Sequence, residues 1–254
     1  MTVDLSVLIP TRQEAGSLPL LLADLQRWPG TLQILIADAG SNDETTSAAR
    51  IAGATVLNCP TPGRGHQLRW AVQQAQGHWL LVLHADSRLS TTWSQVVQTT
   101  ITTPGAASQA FYFDLRIDGP GAMLRLLEGA VQWRCRCFQE PYGDQGLLIH
   151  RSLYEQSGGY SPLPLMEDLE LVQRLKRLTR LRPLNQPIRT SARRWQRDGV
   201  IQRSWTNAQL RRLWRRGVCA EELVAAYNKP FSWRTKRHSG GPGARDPIPD
   251  ADKN

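Results

Sequence analysis

The stretch Leu80-Leu81-Val82-Leu83-His84-Ala85-Asp86 decides the fold. An apolar run of strand composition carries an acidic residue to its C-terminal end, and the turn-prone pair Ser87-Arg88 follows at once. Ligands of open α/β sheets sit in the crevice beyond the carboxyl ends of the strands. A carboxylate there suits a hard divalent metal, which in turn suits a phosphate ligand. The same residue would also serve as the N-cap of a following helix, so the run must be weighed with its neighbours.

Two earlier runs end in the same way. Leu5-Ser6-Val7-Leu8-Ile9-Pro10 leads into Thr11-Arg12-Gln13-Glu14, and Leu32-Gln33-Ile34-Leu35-Ile36-Ala37-Asp38 leads into Ala39-Gly40-Ser41-Asn42-Asp43. Strand-like runs at Leu5, Leu32, Thr55 and Trp79 alternate with helical patterns over 17–28, 43–51, 65–76 and 93–102. That alternation predicts βαβ units, hence an α/β fold with a mostly parallel central sheet flanked by helices. Ser17 and Asp43 suit N-caps, and Pro19 suits a first helical turn. Further strands are expected over 107–113 and 145–150, with a helix over 121–138 between them and another over 167–180. Pro183 and Pro187 interrupt 181–190, which therefore reads as an edge strand or loop. Terminal helices are expected over 205–216 and 221–227, and the Gly/Pro-rich stretch from Arg234 reads as a disordered tail. The expected organisation is one domain over 1–228, with a donor half to about 105 and an acceptor half beyond it, then a tail over 229–254.

At 254 residues the chain can bury a sizeable single core. No apolar run approaches the roughly 20 residues that a membrane helix needs. The opening residues carry neither a basic n-region nor an apolar h-region, and Cys59, Cys135, Cys137 and Cys219 form no CxxC pair. The expectation is a cytoplasmic protein with reduced thiols. Its charge is regional: residues 174–216 hold 14 Lys and Arg and one acid, Asp198, a net of +13 against +9 for the whole chain. The rest is acidic overall.

The ordered set Ser6–Thr11 with Glu14, Ala37–Asp43, Gly63-Arg64-Gly65, His84-Ala85-Asp86 and Glu167-Asp168 resembles the family 2 glycosyltransferases. These are inverting enzymes of the GT-A fold that use nucleotide-sugar donors, and the resemblance covers roughly residues 4–228. Tyr142-Gly143-Asp144-Gln145-Gly146 and Ser191-Ala192-Arg193-Arg194-Trp195, with His84-Ala85-Asp86, look like a small bacterial branch labelled arsenosugar-biosynthesis glycosyltransferases. The resemblance implies a GT-A-type, Rossmann-like domain with C-terminal helices. It implies nucleotide contacts at Pro10, Glu14, Asp38 and Arg64, and Mg²⁺ or Mn²⁺ at Asp86. The first acidic position of the family's DxD motif is His84 here, a possible ligand outside the metal's inner sphere. Should its imidazole ligate, Mn²⁺ would be favoured over Mg²⁺. By the same resemblance Asp168 is the base, Glu167 its orienting neighbour, and Asp144, Gln145, Arg194 and Trp195 lie on the acceptor side. Arg193-Arg194-Trp195 is similar to the QxxRW of processive synthases, but the Gln is absent and no processivity is inferred.

Other chemistries fit these residues as well at single positions. Asp38 suits an Asx turn, Arg64 a solvated loop, and Glu167-Asp168 an acidic helix start. A dinucleotide-binding domain needs glycines in its first βα turn, where this chain has Pro10-Thr11-Arg12-Gln13-Glu14. A haloacid-dehalogenase-type phosphatase needs an Asp nucleophile where His84 stands. The basic helix around 203–216, with Trp205, Leu210, Leu213 and Trp214, suits an anionic membrane surface and hence a peripheral site at the membrane's inner face. Nucleic acid is disfavoured by the carboxylates at the strand ends. The expected activity is transfer of a sugar from a nucleoside-diphosphate donor to a hydroxyl of an unknown acceptor. A lipid or carotenoid acceptor at the membrane, and a non-catalytic nucleotide- or nucleic-acid-binding module, are the alternatives.

Overall fold

A computed structural model describes residues 4–192, 199–220 and 222–224. Strands β1 (Leu5–Thr11), β2 (Leu32–Asp38), β3 (Thr55–Asn58) and β4 (Trp79–Val82) alternate with helices α1 (Leu18–Leu25), α2 (Thr45–Ile51) and α3 (Arg64–Gln74). A two-residue strand β5 (Arg88–Leu89) and α4 (Trp93–Thr102) follow. The second half holds β6 (Ala110–Asp118), α5 (Ala122–Phe138), β7 (Leu147–His150), α6 (Arg151–Gln156), α7 (Glu167–Leu178), β8 (Leu181–Ser191) and α8 (Val200–Arg215). Residues 222–224 are helical, within the expected 221–227 segment. Arg193, Arg194, Trp195 and the expected tail at 229–254 lie outside the described residues.

All eight strands form one sheet in the order β3-β2-β1-β4-β7-β6-β8-β5. The pairs β1–β2, β2–β3, β1–β4 and β6–β8 are parallel, and β7 runs antiparallel to both its neighbours. Every residue of β1 is buried, as in strands covered on both faces. Leu5, Val7 and Ile9 face a layer that takes in Leu18, Leu21, Leu22 and Leu25 of α1 and Trp93 and Val97 of α4. Leu8, between them, faces the opposite layer with Leu68 and Val72 of α3, Leu124 and Val131 of α5, and Leu171 and Leu175 of α7. The period of two along the strand thus divides the core between two helical layers. This is the α/β architecture that the alternation predicts.

β8 lies one place in from the sheet edge, and its prolines explain its edge-like character. It pairs with β6 through Leu181–Pro183 and Pro187–Ser191, with the register broken between Tyr112 and Asp114. Its other side meets only β5, at Ile188 and Arg189. The antiparallel strand β7 has a positional consequence. Val82 at the end of β4 pairs with Leu147 at the start of β7. The segment entering β7 is therefore set beside the segment leaving β4, at the same end of the sheet.

Candidate functional site

At that end of the sheet lies a cleft of about 250 Å³. Pro10, Glu14, Arg64, His84 and Asp86 line it from the β1, α3 and β4 side, and Asp144 and Asp168 from the β7 and α7 side. Thr190, Arg203, Asn207 and Arg211 close it from β8 and α8.

Arg64 is the first residue of α3, and the glycine after it sets its position. A Cβ on Gly65 would stand 2.3 Å from the carbonyl oxygen of Ser161 and 2.6 Å from that of Leu163, both main-chain atoms. Only a glycine lets α3 approach the segment leading into α7 this closely. The approach brings Arg64 Nε within 2.9 Å of Glu167 Oε1. Arg64 Nη1 also lies 3.4 Å from His84 Nε2. Glu167 is only 1% exposed, and its other oxygen, Oε2, has no hydrogen-bond partner. Burial, assisted by the charge of Asp168 and opposed by Arg64, pushes the Glu167 carboxyl up to about 7.

Asp168 sits in the first turn of α7, where the helix dipole favours negative charge. Met166, immediately before the helix, holds a left-handed φ of 67°, an uncommon conformation for a non-glycine residue. Gly143 of the turn entering β7 donates its main-chain N–H to Asp168 Oδ2 at 2.6 Å. A Cβ there would lie 2.7 Å from His84 Nε2 and 3.1 Å from Asp168 Oδ2. Gly143 is thus where the β4 loop, the β7 loop and α7 meet. The next residue, Asp144, has a buried Oδ1 with no partner. Its pKa is raised, chiefly by burial and further by Asp168 and Asp86, against the pull of Arg134 and Arg64. Asp86 accepts a hydrogen bond from Thr190 Oγ1 at 3.3 Å.

Two expected site residues stand elsewhere. Asp38 is nearly fully buried and does not line the cleft. It accepts from Thr11 Oγ1 at 2.9 Å and from the main-chain N–H groups of Gly40 and Ser41 at 3.0 and 2.7 Å. It therefore shapes the loop after β2, as an Asx turn would. Gln145, expected on the acceptor side, is wholly buried beneath the cleft. Its Oε1 accepts from Arg134 Nη2 at 3.2 Å and its Nε2 donates to the Phe113 carbonyl at 3.1 Å. Asp43, read as a cap, accepts from Thr45 N and Ala15 N, both at 3.1 Å, joining the α2 start to the loop after β1.

Sequence reasoning missed four contributors. Gln67 donates from inside α3 to the carbonyls of Thr11 and Ala37 at 2.9 and 2.6 Å, fixing the ends of β1 and β2 together. Tyr142 lines the cleft beside two guanidinium groups, Arg134 at 3.8 Å and Arg211 at 5.1 Å from its ring centre. Arg203 and Arg211 come from α8, where the sequence shows an undivided basic run. Helical spacing was the available signal: 203, 207, 210, 211 and 214 share one face, while Trp205, Arg212 and Arg216 fall on the other.

The donor set suits an oxygen-loving cation of modest protein ligation. Among the described residues no three His, Cys, Asp or Glu side chains gather into a ready-made cage. Asp86 and the unpartnered oxygen of Asp144 offer hard carboxylate ligands. One or two carboxylates, with the other positions left to phosphate oxygens and water, is the usual mode for Mg²⁺ at nucleotide sites.

A family model described as Glycosyl transferase family 2 matches residues 6–152. The chain belongs to glycosyl transferase family 2. The sheet order with its cleft is the GT-A arrangement. No curated protein matches the chain by sequence. Among solved structures, Staphylococcus aureus TarS 1–349 is similar at 16% identity and a TM-score of 0.58, over 75% of this chain and 61% of that one. The Mycobacterium tuberculosis glucosyl-3-phosphoglycerate synthase, in complex with Mn²⁺, UDP and glucosyl-3-phosphoglycerate, is similar at 19% identity and 0.54, over 72% and 70%. These likenesses are of fold. The chain spans about three fifths of the length of the TarS fragment. Glu167, Asp168 and the whole of α8 lie beyond the residues the family model matches. No helix among the described residues is long and apolar enough to cross a membrane.

Proposed function

We propose that the protein is an inverting glycosyltransferase that moves a sugar, a hexose or a related one, from a nucleoside diphosphate to an acceptor hydroxyl, with Asp168 as base. The observation that carries the reading is the placement of Asp168 in the same cleft as Asp86, its Oδ2 anchored by the Gly143 N–H at 2.6 Å. In the proposed reaction the acceptor oxygen forms its bond to the anomeric carbon as the carbon–oxygen bond to the diphosphate breaks. The bonding pair leaves on the diphosphate, and the acceptor proton passes to Asp168. Attack from the face opposite the leaving group inverts the centre. Glu167 orients the site by holding Arg64, whose guanidinium lines the cleft between the two acidic clusters. Pro10 and Glu14 offer the β1 side of the cleft to the nucleoside, and Asp38 supports it by shaping the neighbouring loop. Mg²⁺ or Mn²⁺, held by Asp86 with Asp144 beside it and His84 outside its inner sphere, would supply charge neutralisation for the departing diphosphate. UDP is the first nucleotide to test, since TarS and the mycobacterial synthase were both solved with it.

The motifs His84-Ala85-Asp86 and Tyr142–Gly146 support the narrower likeness to the branch labelled arsenosugar-biosynthesis glycosyltransferases. A peripheral contact with an anionic membrane, from the cytoplasmic side, is favoured by the outward face of α8. There Trp205 is 60% exposed and neighbours the exposed Arg212, Leu213 and Arg216.

Calorimetric titration of UDP, GDP, TDP and ADP, each with and without Mn²⁺ or Mg²⁺, tests the donor reading. Metal-dependent binding of one nucleotide is expected. A folded sample that binds none of them rejects it.

A further inference from the structure

The cleft wall opposite the β1 side is rich in guanidinium groups, and one of them, Arg211, meets no carboxylate among the described residues. Arg134 of α5 and Arg211 of α8 both lie over one ring, Tyr142, at 3.8 and 5.1 Å from its centre, and Arg203, 9% exposed, lines the cleft two turns before Arg211 on the same helix. Arg134 donates to the Glu140 carbonyl and to Gln145, both neutral acceptors. Among the described residues no carboxylate lies within ion-pair distance of Arg211. Its environment is unfavourable for a lone cation: burial pulls its pKa down, and Arg134 and Arg215 reinforce that pull. Asp144 is the carboxylate whose charge acts on both Arg134 and Arg211. Tyr142 cannot neutralise them, because burial raises the pKa of its phenol.

A half-buried guanidinium without a carboxylate is costly unless an anion completes it. Position says which anion. Tyr142 adjoins Gly143, whose N–H holds the Asp168 base. The arginines thus flank the side from which the attacking hydroxyl must come, whereas Asp86 and the β4 loop serve the diphosphate side.

The geometry points to Arg211, with Arg203 and Asn207 beside it, as an oxyanion-binding subsite for the acceptor, so that the acceptor class is a hydroxylated molecule bearing a carboxylate or phosphate. The inference rests on Asp168 being the base of a glycosyl transfer. A planar guanidinium fork matches either oxyanion in bidentate fashion. Asn207, one helical turn before Arg211, adds a neutral donor, and the Tyr142 ring offers its π face to both guanidinium groups.

The test uses the full chain, first saturated with whichever nucleoside diphosphate and metal bind it. Inorganic phosphate, and separately acetate, are then titrated in by calorimetry. Wild type is expected to bind one of them alongside the nucleotide, and Arg211→Gln to bind it roughly tenfold more weakly, the loss of one charge-assisted pair. Nucleotide affinity in the variant should stay within about twofold. Tighter phosphate points to a phosphorylated acceptor, and tighter acetate to a carboxylate. Arg211→Lys keeps the charge without the fork and should fall between wild type and Arg211→Gln, which covers the case of a poorly folded Gln variant. Displacement of the nucleotide by phosphate overturns the inference, because the arginines then serve the donor. Equal anion binding by wild type and both variants also overturns it. If no nucleotide binds at all, the donor reading fails by itself, and titration into the free protein still reads the Arg211 site.

Discussion

Glu167→Gln should make the protein more stable in alkali and less able to catalyse transfer. The folded protein holds the Glu167 proton up to about pH 7, against 4.5 for an ordinary glutamate. Below pH 4.5 both folded and unfolded chains carry the protonated form, and the folded state suffers no penalty. As pH rises, the unfolded chain gives up this proton first, so folding loses about 1.4 kcal/mol per pH unit until the folded carboxyl also ionises. Across the window from 4.5 to about 7 the loss is about 3 kcal/mol, including whatever Arg64 returns through its 2.9 Å contact. Glutamine mimics the protonated form, keeps an oxygen for Arg64 Nε and never ionises. Urea unfolding of both proteins should give nearly coincident curves at about pH 4, below both pKa values. At pH 8.5 the variant should be more stable by about 3 kcal/mol, a midpoint shift on the order of 1 M. A difference that stays constant with pH, or widens toward acid, refutes the reasoning. The accompanying loss of activity would mark Glu167 as a residue kept for function at the expense of stability.

Asp168→Asn should lower transfer by about two to four orders of magnitude, the usual contribution of a positioned base. Nucleotide binding by calorimetry should stay within about twofold of wild type, and wild-type transfer rates would remove Asp168 from the reaction. Asp86→Ala should abolish the metal-dependent part of nucleotide affinity, and an unchanged metal dependence would move the cation elsewhere. Gly143→Ala places a methyl carbon 2.7 Å from His84 Nε2 and 3.1 Å from Asp168 Oδ2. His84 is a side chain that can yield, so the melting temperature should change by only a few degrees. Transfer should nevertheless fall sharply, and unaltered kinetics would show that the His84–Asp168 spacing is not critical.

The parallel half of the sheet was legible because β1 and most of β2 are buried on both faces and read as largely apolar runs. That Arg64, Asp86 and Asp168 meet in one cleft was legible because each follows a strand or opens a helix, where local pattern fixes position. What stayed hidden depends on contacts between distant segments. Gln145 and Asp144 are adjacent in sequence, yet one turns under the cleft and the other into it, a choice made by the short helical turn over 143–145. Asp38 has a strand-end position like that of Asp86, but the amides of Gly40 and Ser41 occupy it. The basic count over 174–216 could not separate arginines facing the cleft from those facing solvent. Only the rotation of α8 does so, placing Arg203 and Arg211 inward and Arg212 and Arg216 outward.

The hydrogen bond that anchors Asp168 comes from the peptide backbone of residue 143. Replacing a side chain does not delete such a donor; among the natural amino acids only proline lacks it. Alanine scanning would therefore leave this donor uncounted, and a substitution at 143 would act by crowding its neighbours. The same feature gives the base a form of genetic insurance. Exchange of the side chains around it leaves the anchoring amide in place, because that donor is written into the chain itself.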